Sequence, residues 1–134
     1  MNVGVMDSAE ELKAKYRKSA KRYLRGCWAL LAVAVAAPLV AFFDIRPSFE
    51  SMEVWVQRSG ASTSIYALLS NTVAEMGLRK LNKPGEMGSR IKLEVLSEVS
   101  RSFEIVRWTA LVVTVLGTVI WGYGDTMIKW WIQP

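Results

Sequence analysis

Two uncharged stretches constrain this chain more than any other feature. Gly26 to Phe43, GCWALLAVAVAAPLVAFF, and Trp108 to Gly124, WTALVVTVLGTVIWGYG, run for 18 and 17 residues without a charged side chain. At about 1.5 Å per helical residue they cover about 25 to 27 Å, close to the roughly 30 Å hydrocarbon core of a bilayer once flanking residues are added. Both are expected to be membrane-spanning helices. The competing reading, two buried helices of a soluble domain, needs other elements to cover them on every side. The rest of the 134 residues are too few and too charged for that.

The expectation is an all-α integral membrane protein. Two transmembrane helices, 26–43 and 108–124, are joined by a roughly 60-residue, mainly helical extramembrane segment, 44–107. A basic cytoplasmic helix, 1–25, runs continuously into the first span, and an interfacial cytoplasmic tail, 125–134, follows the second. Ser8 and Glu11 have the spacing of a capping box, which places the helix start at Ser8. Seven basic residues then lead into the first span: Lys13, Lys15, Arg17, Lys18, Lys21, Arg22 and Arg25. Such a cluster is retained on the cytoplasmic side, and with two spans the C-terminus returns there as well. The implied location is a bacterial inner (plasma) membrane. The same cluster suits anionic phospholipid headgroups, at about 1 kcal/mol per basic residue near the surface. The A-x-A sites in AVAVAA are a weaker match to a cleavable leader than to a signal anchor, because the preceding charged region is too long.

Pro38 cannot donate to the carbonyl of Ala34, so the first span is expected to bend there, a kink that a membrane tolerates when neighbours re-satisfy the freed group. Asp44 and Arg46-Pro47 should end it. In the middle segment, Phe49, Met52 and Val56 suggest a short helix, and SGAS reads as a breaker. A second helix follows, with Ile65, Leu69, Val73 and Met76 as its apolar face, closed by Pro84-Gly85. A third carries Leu96, Val99, Phe103 and Val106 on one face and runs directly into the second span. The spacings Arg90/Glu94, Glu98/Arg101 and Glu104/Arg107 favour ion pairs along it. The two apolar faces are expected to bury each other as a hairpin, or to bury a partner.

Little in the sequence supports catalysis. There is no histidine, the single Cys27 has no partner for an internal disulfide or a metal site, and no phosphate-binding glycine loop occurs. Glu94 and Glu98 share a face, but each has a basic neighbour within a turn. No enzyme activity, cofactor or metal is expected. The basic N-terminus lacks aromatic platforms beyond Tyr16 and Tyr23, so no nucleic-acid partner is expected either. The letters GYGD, Gly122 to Asp125, match the end of a potassium-selective filter, but they close the last span, only nine residues of this sequence follow Asp125, and Ile120 and Trp121 separate Thr118-Val119 from Gly122, so such a filter is not expected.

Association is the better-supported expectation. Ala110, Thr114, Thr118 and Gly122 recur every four residues, and Ala32 and Ala36 give the first span a similar flat patch. In lipid, small residues that allow close backbone approach are a principal means of joining helices. The stripe serves either the chain's own first helix or another molecule. Trp28, Trp108, Trp121, Trp130 and Trp131 fall at the expected interfaces, as in an aromatic belt, and Lys129 can pair with Asp125. The expected function is that of a non-enzymatic two-pass membrane protein that works as a small subunit, adaptor or scaffold. Its partners are the lipid bilayer, anionic phospholipids, and another membrane protein or itself. The alternative is a homo-oligomeric pore or holin-like permeabilising protein with Asp125 at the pore mouth.

Overall fold

A computed structural model describes residues 3–43, 48, 51–82 and 89–132. It contains three helices, α1 (Val3–Phe42), α2 (Met52–Leu81) and α3 (Ser89–Ile132), with no strand among the described residues. At about 1.5 Å per residue the helices are about 60, 45 and 66 Å long. The side-chain contacts fix their directions. Lys13 meets Glu94 and Arg17 meets Glu98, so α1 and α3 run parallel. Ser70 meets Cys27 and Thr63 meets Ala34, while Ser64 meets Thr114 and Glu53 meets Lys129, so α2 runs antiparallel to both.

The result is an up-down-up bundle with two storeys. One, around residues 7–25, 72–82 and 90–107, has a charged surface over an apolar core. Phe103 and Val95 are fully buried there, Phe103 against Gly77 and Tyr23. A fully buried side chain of that size stabilises by about 1.5–3 kcal/mol relative to exposure in water. The other storey contains both uncharged stretches and the first half of α2. Its surface is apolar: Val33, Leu39, Ile65, Leu68, Leu111, Val115 and Leu116 are all exposed. Two helices, Asp7–Phe42 and Arg90–Trp131, are long and apolar enough to cross a membrane.

The buried residues of α2 explain its place. Val56, Gly60, Thr63, Ala67, Ser70, Ala74, Gly77 and Leu81 are all buried and follow one another at alternating steps of four and three. That is the heptad spacing of a helix laid along its neighbours, and here nearly every position is small. Close approach follows at Gly60 and Gly117. A Cβ added at Gly60 would stand 2.5 Å from the amide nitrogen of Trp121 and 2.7 Å from the carbonyl of Gly117. A Cβ added at Gly117 would stand 2.9 Å from the carbonyl of Gly60.

Several expectations are corrected. SGAS does not break the chain: α2 runs through it without interruption, because its small side chains face the neighbouring helices. Ile65, Leu69 and Met76 are 58%, 46% and 58% exposed, while Ala67, Ser70 and Ala74 are fully buried, so the small face of α2 is the packed one. The first half of α2 therefore lies beside both uncharged stretches and does not form a unit beyond their ends. α1 begins by Val3, so Ser8 lies inside it. A capping motif permits a start without requiring one, and no proline precedes it. The expected stops at Asp44, Arg46-Pro47 and Pro84-Gly85, and the position of Phe49, lie outside the described residues. The helix beginning at Met52 is instead capped by Ser51, whose hydroxyl accepts from the amide of Val54 at 3.5 Å. At the other end the Asn82 amide donates to Leu78, with Arg79 and Lys80 favourably placed near the helix C-terminus.

Candidate helix-association site

Ser59, Thr63 and Ser70 are buried inside the apolar-surfaced storey. Pro38 leaves the carbonyl of Ala34 without its helical donor, and the hydroxyl of Thr63 supplies one at 2.9 Å while also reaching the carbonyl of Ser59. Two turns further along α2, Ser70 donates to the carbonyl of Cys27 at 3.0 Å and the Cys27 thiol donates back to the carbonyl of Ser70 at 3.5 Å. On the other side of α2, Ser64 lies 3.2 Å from the carbonyl of Thr114 and 3.3 Å from the Thr118 hydroxyl. Thr114 and Thr118 each bond back to the carbonyl four residues earlier. These hydroxyls thus clamp α2 to α1 at two levels and to α3 at a third. A hydroxyl with a carbonyl partner avoids the cost of a buried unsatisfied group, about 1–3 kcal/mol.

The sequence-predicted residues separate into two sets. Ala110 is buried against the bundle core and Thr114 is half-buried beside Ser64. Thr118 bonds to Ser64 at its edge. Gly122 turns outward, and a Cβ added there meets nothing within 4 Å. Ala32 and Ala36 are exposed as well. The α3 face that packs internally is instead Phe103, Val106, Ala110, Gly117 and Gly124. Sequence reasoning missed Gly60, Thr63, Ser64, Ala67 and Ser70. The signal was available: Ser59 to Ala74 carries no charged residue and keeps small side chains at heptad spacing.

The basic residues are divided similarly. Lys13 pairs with Glu94 at 2.8 Å, and Arg17 makes a two-pronged contact with Glu98, Nε to Oε2 at 3.0 Å and an Nη to Oε1 at 2.8 Å. Hydrogen bonding to Glu94 raises the Lys13 pKa, and hydrogen bonding to Glu98 raises that of Arg17. Lys15, Lys18, Lys21, Arg22 and Arg25 are exposed. Arg107 reaches Glu75 of α2 at 3.7 Å, and Lys92 and Lys80 lie over the Tyr16 and Tyr23 rings. At the far end Asp125 is half-buried and accepts from the Thr126 hydroxyl, while Lys129 lies 4.0 Å from Glu53. Trp28, Trp108, Trp121, Trp130 and Trp131 are all exposed.

No group of three or more potential metal ligands occurs among the described residues. Comparison with known protein families, curated proteins and solved structures finds no match to this chain.

Proposed function

We propose that this protein is an integral membrane protein that works by helix association, as a small subunit, adaptor or scaffold, and that α2 crosses the membrane together with α1 and α3. The observation that carries the reading is the inverted storey, with the hydroxyls of Ser59, Thr63 and Ser70 buried inside and large apolar side chains outside. A bundle in water buries its apolar face; a bundle in lipid exposes it and satisfies its polar groups internally. The uncharged part of α2, Ser59 to Ala74, is about 24 Å long at 1.5 Å per residue. It is too hydroxyl-rich to stand out by hydropathy. Flanked by two apolar helices that accept its hydrogen bonds, it is a suitable third span. Arg58, near the far end of this stretch, can extend its charged head toward water. The exposed tryptophans at both levels suit the headgroup regions.

The outward small residues give this unit a surface for association. Ala32 and Ala36 on α1 and Gly122 on α3 are exposed, and such small residues allow another helix to approach closely. Gly122→Leu and Ala36→Leu are therefore expected to leave the bundle folded and to remove the partner, or the second copy, that crosslinks or co-purifies in mild detergent. Unchanged association in both variants would leave these faces without the role assigned to them.

A further inference from the structure

The outer surface between α2 and α3 carries a groove of about 530 Å³ that spans the boundary of the two storeys. Asn71, Glu104 and Arg107 line its mouth, and Trp108, Leu68, Leu111 and Val115 line its course through the apolar-surfaced storey. From Glu104 to Val115 the helix rises about 16 Å, close to half of a roughly 30 Å hydrocarbon core. The groove therefore has the depth of one leaflet, polar at the headgroup end and apolar below.

The charges at the mouth select among lipids. Arg107 is half-exposed and its contact with Glu75 is long, at 3.7 Å, so its planar fork retains donors for a phosphate. Glu104 lies on the same lining and is exposed. Arg107, with Glu75 beside it and Glu104 on the same lining, matches a headgroup that carries an ammonium as well as a phosphate, and a purely anionic headgroup would set its charge against both carboxylates. Resting on the membrane reading above, we infer that this groove holds one phosphatidylethanolamine molecule from the leaflet nearer the start of α1. Its phosphate lies on Arg107, its ammonium on Glu104, and an acyl chain runs along Leu68, Leu111 and Val115.

The test uses the full-length protein, purified in mild detergent, stripped of lipid, and mixed with equal amounts of phosphatidylethanolamine and phosphatidylglycerol bearing identical acyl chains. Native mass spectrometry should find one phosphatidylethanolamine retained, with a preference of about tenfold over phosphatidylglycerol, equivalent to about 1.4 kcal/mol. Glu104→Gln should bring the two lipids toward parity. Leu111→Trp, a change at an outward position that fills the groove, should abolish retention of both. Equal retention by the unaltered protein, or undiminished retention by Leu111→Trp, would overturn the assignment. Alkaline carbonate washing of the source membranes separates the two readings. A protein released by the wash removes the membrane reading and this one with it; a protein that stays integral but shows no preference removes only the groove assignment.

Discussion

Two glycines five positions apart on α3 behave as different residues. Gly117 lies against the backbone of Gly60, where an added Cβ has no flexible neighbour to displace except the Ser64 hydroxyl. Gly117→Ala should destabilise the folded protein by about 1–3 kcal/mol, the usual cost of overpacking. Gly122→Ala meets open space and should be neutral or stabilising by up to about 1 kcal/mol, through better helix propensity. Thermal unfolding in detergent, read by circular dichroism, distinguishes the two; equal effects would contradict the packing described for α3. The Thr63 hydroxyl gives a second test. Thr63→Val alone should cost about 1–3 kcal/mol by stranding the Ala34 carbonyl. In a Pro38→Ala background the restored backbone amide serves that carbonyl, so the same substitution should cost distinctly less. A double-mutant cycle with no coupling would show that Thr63 does not compensate for the proline.

At the scale of the element, α2 decides the architecture, and it was the least legible part of the sequence. The long apolar stretches of α1 and α3 follow from uncharged length, and the burial of Phe103 and Val106 follows from helical spacing. The face of α2 was assigned to Ile65, Leu69, Val73 and Met76 because burial was reasoned as it works in water, where the most apolar face turns inward. The small-residue argument applied to Ala110, Thr114 and Thr118 holds with more force for Gly60, Ala67 and Ser70, but Ser-Gly-Ala-Ser reads locally as a loop. Four residues alone do not distinguish a turn from a tightly packed helix when the same residues favour both; the longer uncharged run from Ser59 to Ala74, with small residues at heptad spacing, does. The neighbours that make the difference, Gly117 and Ala34, lie far away in sequence. The same long range hides the salt bridges: spacing suggests pairs within α3, whereas Glu94 and Glu98 reach α1. The buried face of α2 can be tested directly. Ala67→Leu should destabilise by about 1–3 kcal/mol, since no space accompanies a fully buried alanine, and Leu69→Ala should change stability little. The opposite order would restore the apolar face as the packed one.

For the whole molecule, the parallel course of α1 and α3 brings their starts side by side and bears on stability. The Lys13–Glu94 pair ties the starts of the two helices together. The lysine pKa is raised in the folded chain, so this contribution is fully present below the ordinary lysine value of 10.5 and is lost as pH rises through the folded value. Lys13→Met should accordingly lower the unfolding midpoint at about pH 8, by an amount that shrinks as pH rises past the ordinary lysine value of 10.5. A difference that persists unchanged into strong alkali would show that the ammonium charge is not what Lys13 contributes.

On the proposed membrane reading, the same geometry implies a topology. Two spans joined by an external loop would return both chain ends to one side, as the number of uncharged stretches suggests. A three-helix unit in which α2 carries the chain back across places the start of α1 and the end of α3 on opposite sides. Impermeant maleimide labelling of single cysteines at Ser8 and Lys129 in sealed vesicles measures this directly, with the buried Cys27 serving as an internal control for inaccessible thiols. One position should label in intact vesicles and the other only after permeabilisation. Labelling of both from the same side would contradict the three-span account.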